Sequence, residues 1–183
     1  RKNITLMVKC FLQAFSNHPN PPALLLKTNG ANFSILDQHD TLKRLRKQAS
    51  KFTSVEKLPS VYLLHGDLTV EEMAMLYNHP KVKTMVSCTH GEGYGRPLAE
   101  ATCCDLPVIA SGWSGQLDFL DKDKSLLVKG TFEKVPKSVV WKDIIVENSQ
   151  WFTVDESSAY KAFNYVFKNK FDVKREAKSL MNI

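Results

Sequence analysis

The chain has 183 residues, 43% hydrophobic and 24% charged, a globular balance that excludes disordered and fibrous classes. No apolar run approaches the roughly 18 residues of a transmembrane helix. Lysine and arginine outnumber the acids to give a net charge of +6, which favours an anionic partner.

The four cysteines, Cys10, Cys88, Cys103 and Cys104, have neither metal nor disulfide spacing and read as reduced thiols. The opening Arg1-Lys2-Asn3 leads into an amphipathic segment, not a leader, so the expected compartment is cytoplasmic. A first residue other than methionine reads as a piece of a longer protein.

In chain order, helix and strand periodicities alternate. Ile4, Met7, Val8, Phe11, Leu12 and Phe15 hold one helical face, with Asn3 expected as N-cap. Pro22 opens a short apolar run, 23–26, that predicts a buried strand. Asp40 is expected to cap a basic helix reaching about Phe52; its cluster Lys43-Arg44-x-Arg46-Lys47 reads as a solvated face, so nucleic acid is not the expected partner. A strand at 61–64 ends at His65-Gly66. Thr69-Val70-Glu71-Glu72 is a capping box that starts a helix ended by Asn78-His79-Pro80. A strand over 82–87, a glycine loop over 91–95 and a helix with Pro97 at its first position follow. Strands are expected at 107–110 and 126–128, and closing helices at 156–168 and 172–181. The stretch 130–153 reads as an irregular surface excursion. Such alternation with short links predicts an α/β fold with a doubly wound, Rossmann-like parallel sheet, whose ligands bind at the carboxyl ends of the strands.

The informative segment is Glu92-Gly93-Tyr94-Gly95-Arg96-Pro97-Leu98-Ala99-Glu100-Ala101. It follows a strand and opens a helix. Its glycines, with Gly91, let backbone approach a ligand and take positive φ, and the helix start supplies unpaired N–H groups. Seven residues separate Glu92 from Glu100, and both are expected to face one cleft. Carboxylates accept hydrogen bonds from hydroxyls, so a phosphate cradle between two of them suits a nucleotide sugar.

This run resembles the donor-binding domain of retaining glycosyltransferases of the GT-B fold, in glycosyltransferase family four. That family carries a Glu-x7-Glu signature, usually Glu-Gly-Phe-Gly-Leu-Pro-x-x-Glu-Ala followed by Pro-Val-Ile-Ala. Both glutamates, two glycines and Pro107-Val108-Ile109-Ala110 are kept here. Ser111-Gly112-Trp113-Ser114-Gly115 resembles the family's Gly-Gly region, His65-Gly66-Asp67-Leu68 its Phe-x-Gly-x-Val turn, and Arg1-Lys2-Asn3 its Arg-Lys opening.

The resemblance implies a metal-independent transfer from a nucleotide-diphosphate sugar to a hydroxyl acceptor, with no cofactor. Lys2 matches the lysine that neutralises the diphosphate. Glu92 holds the sugar hydroxyls, and these two are the implied catalytic residues. Gly93, Tyr94 and Gly95 bind the diphosphate or sugar through backbone N–H groups, Glu100 the ribose, and Leu68 and Thr28 the base. The acceptor, a saccharide, lipid or other hydroxyl, is chosen by an N-terminal domain. That domain, like the family's first strand, is absent from this chain. Residues 1–183 then form a single donor-binding domain, expected to be inactive in transfer by itself because positioning supplies roughly 7–11 kcal/mol of such barriers.

Three departures stand out. Arg96 replaces an apolar residue, Asp105 replaces a helix-ending glycine, and the family's first strand, with its Gly-Arg end, is missing. His90 precedes the motif without a carboxylate evident in sequence to orient it. Trp113 reads as a rim or core aromatic, and Trp141 and Trp151 are expected to pin the irregular stretch. His18, His39, His65, His79 and His90 show no metal-ligand spacing, and no Asp-x-Asp is present. The alternatives are a non-catalytic nucleotide-sugar-binding module, a sugar-nucleotide epimerase of the same fold and, less favoured, a nicotinamide dehydrogenase. An anionic membrane surface fits the charge balance as a peripheral contact.

Overall fold

A computed structural model describes residues 2–30, 33–52, 55–120, 125–141 and 144–169. Arg1 and the helix expected over 172–181 lie outside the described residues.

The first helix, α1 (Ile4–Phe15), buries Met7, Val8, Cys10, Phe11, Leu12 and Phe15, the face its periodicity marks. Asn3 occupies the N-cap position but is left-handed (φ 48°) and makes no side-chain cap bond, so it does not cap as expected. Strand β1 (Leu24–Lys27) pairs in parallel with β2 (Val61–Leu64), Leu24 opposite Val61. Between them lies α2 (Ile35–Ala49). It begins before the expected Asp40, because the Ser34 side chain accepts from Asp37 N–H and Asp37 stands in the first turn, where a carboxylate suits the helix dipole. Helix α2 has no fully buried residue, and its basic face is solvated as its sequence implies.

Helix α3 (Val70–Asn78) starts on the capping box: Thr69 accepts from Glu72 N–H and Glu72 accepts from Thr69 N–H. Strand β3 (Met85–Ser87) is shorter than expected, since Val82 N–H is engaged in a turn with His79. Helix α4 (Arg96–Cys103) has Gly95 as N-cap, which places Pro97 at its second position, not its first. It closes in a Schellman arrangement: Leu106 N–H donates to Ala101 O and Asp105 N–H to Thr102 O, with Asp105 at φ 53°. Asp105 thus takes the left-handed position that glycine favours.

Strands β4 (Val108–Ser111) and β5 (Ser125–Val128) continue from β3 in the parallel order β3-β4-β5. The stretch expected to be irregular holds an antiparallel pair instead, β6 (Gly130–Lys134) against β7 (Gln150–Val154). Phe132 and Phe152 face each other across it. Helix α5 (Glu156–Lys168), capped by Asp155, follows.

The result is an α/β chain whose described strands form two parallel sheets and one hairpin. Every residue of β4 is buried, and alternate residues feed two cores. Ile109 packs with α1, α5, Leu24 and Leu26 of β1 and Val128. Val108 and Ala110 pack with Tyr77 of α3 and Leu98 and Ala101 of α4. Since neighbouring strand residues point to opposite faces, β4 carries helices on both sides. Among the described residues no helix is long and apolar enough to cross a membrane.

Candidate functional site

The loop from β3 to α4 is fixed from below. Ser111 Oγ donates to Thr89 O at 2.6 Å, and both residues are buried. Ser114 Oγ donates to Glu92 O at 2.7 Å and stands 3.2 Å from Glu92 N, while Gly115 N–H donates to the same carbonyl at 3.1 Å. Ser114 reaches this position at φ 81°, a conformation costly for a non-glycine residue by about 1–3 kcal/mol. Its hydrogen bonds to the loop offset that strain. The 111–115 segment leaving β4 is therefore the base on which the glycine loop rests.

The three loop glycines differ. Gly95 has φ 92° and needs no side chain for that reason. Gly91 and Gly93 do not take positive φ, which corrects the expectation for the loop as a whole. A Cβ at Gly93 would meet nothing within 4 Å. The protein's own packing does not require glycine there. Among the described residues the backbone N–H groups of Gly93, Tyr94, Gly95 and Arg96 find no acceptor. They lie in sequence at the N-terminus of α4, where the helix dipole adds partial positive charge.

Lys2 and Glu92 are brought together: Lys2 Nζ stands 2.6 Å from Glu92 Oε1. The glutamate side chain is 13% exposed and the lysine 59%. Glu100 makes different contacts. It pairs with Arg96 at 3.1 Å, an exposed i,i+4 pair contributing at most about 0.5 kcal/mol. It also lies near Tyr77 of α3, whose phenol is pushed up to about 12, first by burial and then by the Glu100 charge. Arg96 is thus engaged with Glu100. Tyr94 is exposed, its ring against Phe119 at 4.9 Å between centroids. Thr28 follows β1 and Leu68 follows β2, at the carboxyl ends of the other parallel sheet. Nearby, Lys27 donates to Gly66 O and His65 Nε2 lies 2.8 Å from Asp37 Oδ2, tying α2 to the end of β2.

The hairpin adds what the sequence did not reveal. His90 Nδ1 is 2.8 Å from Phe152 O, and the imidazole lies on the Trp151 indole at 3.8 Å between centroids and 2° between planes. Trp113, half exposed, packs edge-on against Phe132 and is a rim aromatic. Trp151 anchors the hairpin; Trp141 does not, its side chain being largely exposed at a bridged turn with Ile145. No signal in residues 130–153 marked β7 as a neighbour of the glycine loop. Among the described residues no cluster of three or more histidines, cysteines or carboxylates could hold a metal. No family model matches the chain, and no curated protein matches it.

Proposed function

We propose that the chain binds a nucleotide-diphosphate sugar and forms the donor half of a retaining glycosyltransferase. The observation that carries this reading is the run of four unpaired N–H groups leading through the glycine loop into α4, beside an open Gly93 and the Lys2–Glu92 pair. Backbone donors at a helix start suit a diphosphate. A carboxylate next to them suits hydroxyls, not phosphate.

In this reading the N–H groups of residues 93–95 and the Lys2 ammonium take up the charge that grows on the diphosphate as the anomeric C–O bond breaks. Glu92 fixes the sugar hydroxyls, and Glu100 takes the ribose diol. Leu68 and Thr28 border the base. The acceptor oxygen bonds to the anomeric carbon on the face the diphosphate leaves, and the acceptor proton departs with the leaving group. The same reading makes the two parallel sheets halves of one doubly wound sheet, β2-β1 and β3-β4-β5, with a strand between them. The core shared by Leu24, Leu26, Ile109 and Val128 supports it.

Titration calorimetry with UDP, GDP and ADP, and with UDP-glucose, GDP-mannose and ADP-glucose, tests the proposal. One base series is expected to bind. Glu100→Ala should weaken both members of that series, and Glu92→Ala chiefly the nucleotide sugar, each by about 1.5–3 kcal/mol for a charged acceptor lost. Absence of binding by all six at millimolar concentration would overturn the reading.

A further inference from the structure

His90 stands two residues before Glu92, in the loop that leaves β3. A carbonyl oxygen only accepts, so Nδ1 carries the proton in the bond to Phe152 O. The flat stack on Trp151 covers one ring face and fixes the ring plane. Nε2 is left over. Among the described residues it has no hydrogen-bond partner, and the buried unpaired side-chain atoms are Gln116 Oε1 and Thr153 Oγ1, not this one. It is therefore not sealed in the core.

We propose that His90, locked by Phe152 and Trp151 as the Nδ1–H tautomer, presents a bare Nε2 that accepts a hydrogen bond from a hydroxyl of the donor sugar. The role rests on the donor-binding reading above and adds a specificity residue to it. Burial holds the imidazole below its ordinary range, so the ring is neutral at pH 7.5, although the hydrogen bond to Phe152 O and, more weakly, the Glu133 charge of β6 pull the other way. A neutral ring with a bare nitrogen has nothing to offer a diphosphate, which lacks protons to donate. It does accept from a hydroxyl. The group therefore favours the intact nucleotide sugar over the nucleoside diphosphate left after transfer. The hairpin β6–β7 is in this sense part of the site, since it alone holds the tautomer.

The test compares His90→Phe and His90→Gln with the parent chain, using the paired ligands UDP and UDP-glucose, GDP and GDP-mannose, ADP and ADP-glucose, without acceptor. Phenylalanine keeps the stack and loses the acceptor; glutamine restores an acceptor oxygen. His90→Phe should weaken the nucleotide sugar about 5–10-fold, the value of one net hydrogen bond, and leave the nucleoside diphosphate unchanged. His90→Gln should recover part of that loss. Nitrogen-15 spectra of the parent chain give a second measure that does not depend on either variant folding. Nε2 should resonate as an unprotonated nitrogen and shift on adding the nucleotide sugar, not the nucleoside diphosphate. Equal losses for both ligands in His90→Phe, or an Nε2 signal indifferent to the sugar, would overturn the role of His90 while leaving the donor site standing. Failure of every ligand to bind the parent chain would overturn both.

Discussion

The carbonyl of Gly93 fills the space where a side chain on Gly115 would stand, so the two glycines, from loops following different strands, meet backbone to backbone. Gly115→Ala has no flexible neighbour to displace. It must push the 92–93 backbone away from its base and break the Gly115 N–H to Glu92 O bond. A loss of about 1–3 kcal/mol in unfolding free energy, the range for overpacking, is expected in urea titrations. An effect below about 0.5 kcal/mol, typical of ordinary surface changes, would show that this contact is not what seats the loop.

His90 gives the fold a dependence on pH. Its folded-state pKa is lowered, mainly by burial, with the Phe152 carbonyl opposing. The unfolded chain therefore binds the proton more readily between the folded value and about 6.5, and stability rises with pH across that window. The contribution is complete above the unfolded value and is lost as pH falls through the folded one. Urea midpoints measured from pH 5 to 8 should fall on the acid side in the parent chain, and less steeply in His90→Phe. Identical profiles would show that another group carries the acid sensitivity.

The thiols should divide by environment. Burial is the first cause that raises Cys10 to about 11 and Cys88 to about 12, so little thiolate exists at pH 8. Cys103 is exposed on the last turn of α4. Iodoacetamide at pH 8, followed by peptide mass spectrometry, should label Cys103 first and leave Cys10 and Cys88 until the chain is unfolded. Early labelling of Cys88 would mean that the core around β3 opens readily.

Much of this architecture was legible because local signals and packing agree. The 3.6-residue period of α1, the Thr69–Glu72 capping box and the apolar run of β4 each name an element that then fills a core. Helix α2 starts earlier than Asp40 predicts because the Ser34 side chain accepts from Asp37 N–H, a bond that residue type alone does not reveal. The hairpin was not legible. Its strands are joined by the long 135–149 segment, with no tight-turn signal, and their pairing is a tertiary fact. The same reason hid the partner of His90: a carbonyl distant in sequence leaves no mark in residue identity. The seat of the glycine loop was likewise invisible, since it depends on a serine at φ 81°.

The claim that the glycine loop grips a diphosphate is tested most directly by Gly93→Ala. A Cβ there meets nothing in the protein and the backbone needs no positive φ, so the variant should fold with an unchanged urea midpoint. If a diphosphate lies against the unpaired N–H groups, the added methyl stands in its way. Calorimetry on the base series that binds the parent chain should then show affinity for both nucleoside diphosphate and nucleotide sugar falling by about tenfold or more, as losing one or two charge-assisted hydrogen bonds implies. Unchanged affinity in a normally folded Gly93→Ala would contradict the account, because the ligand would have to bind elsewhere.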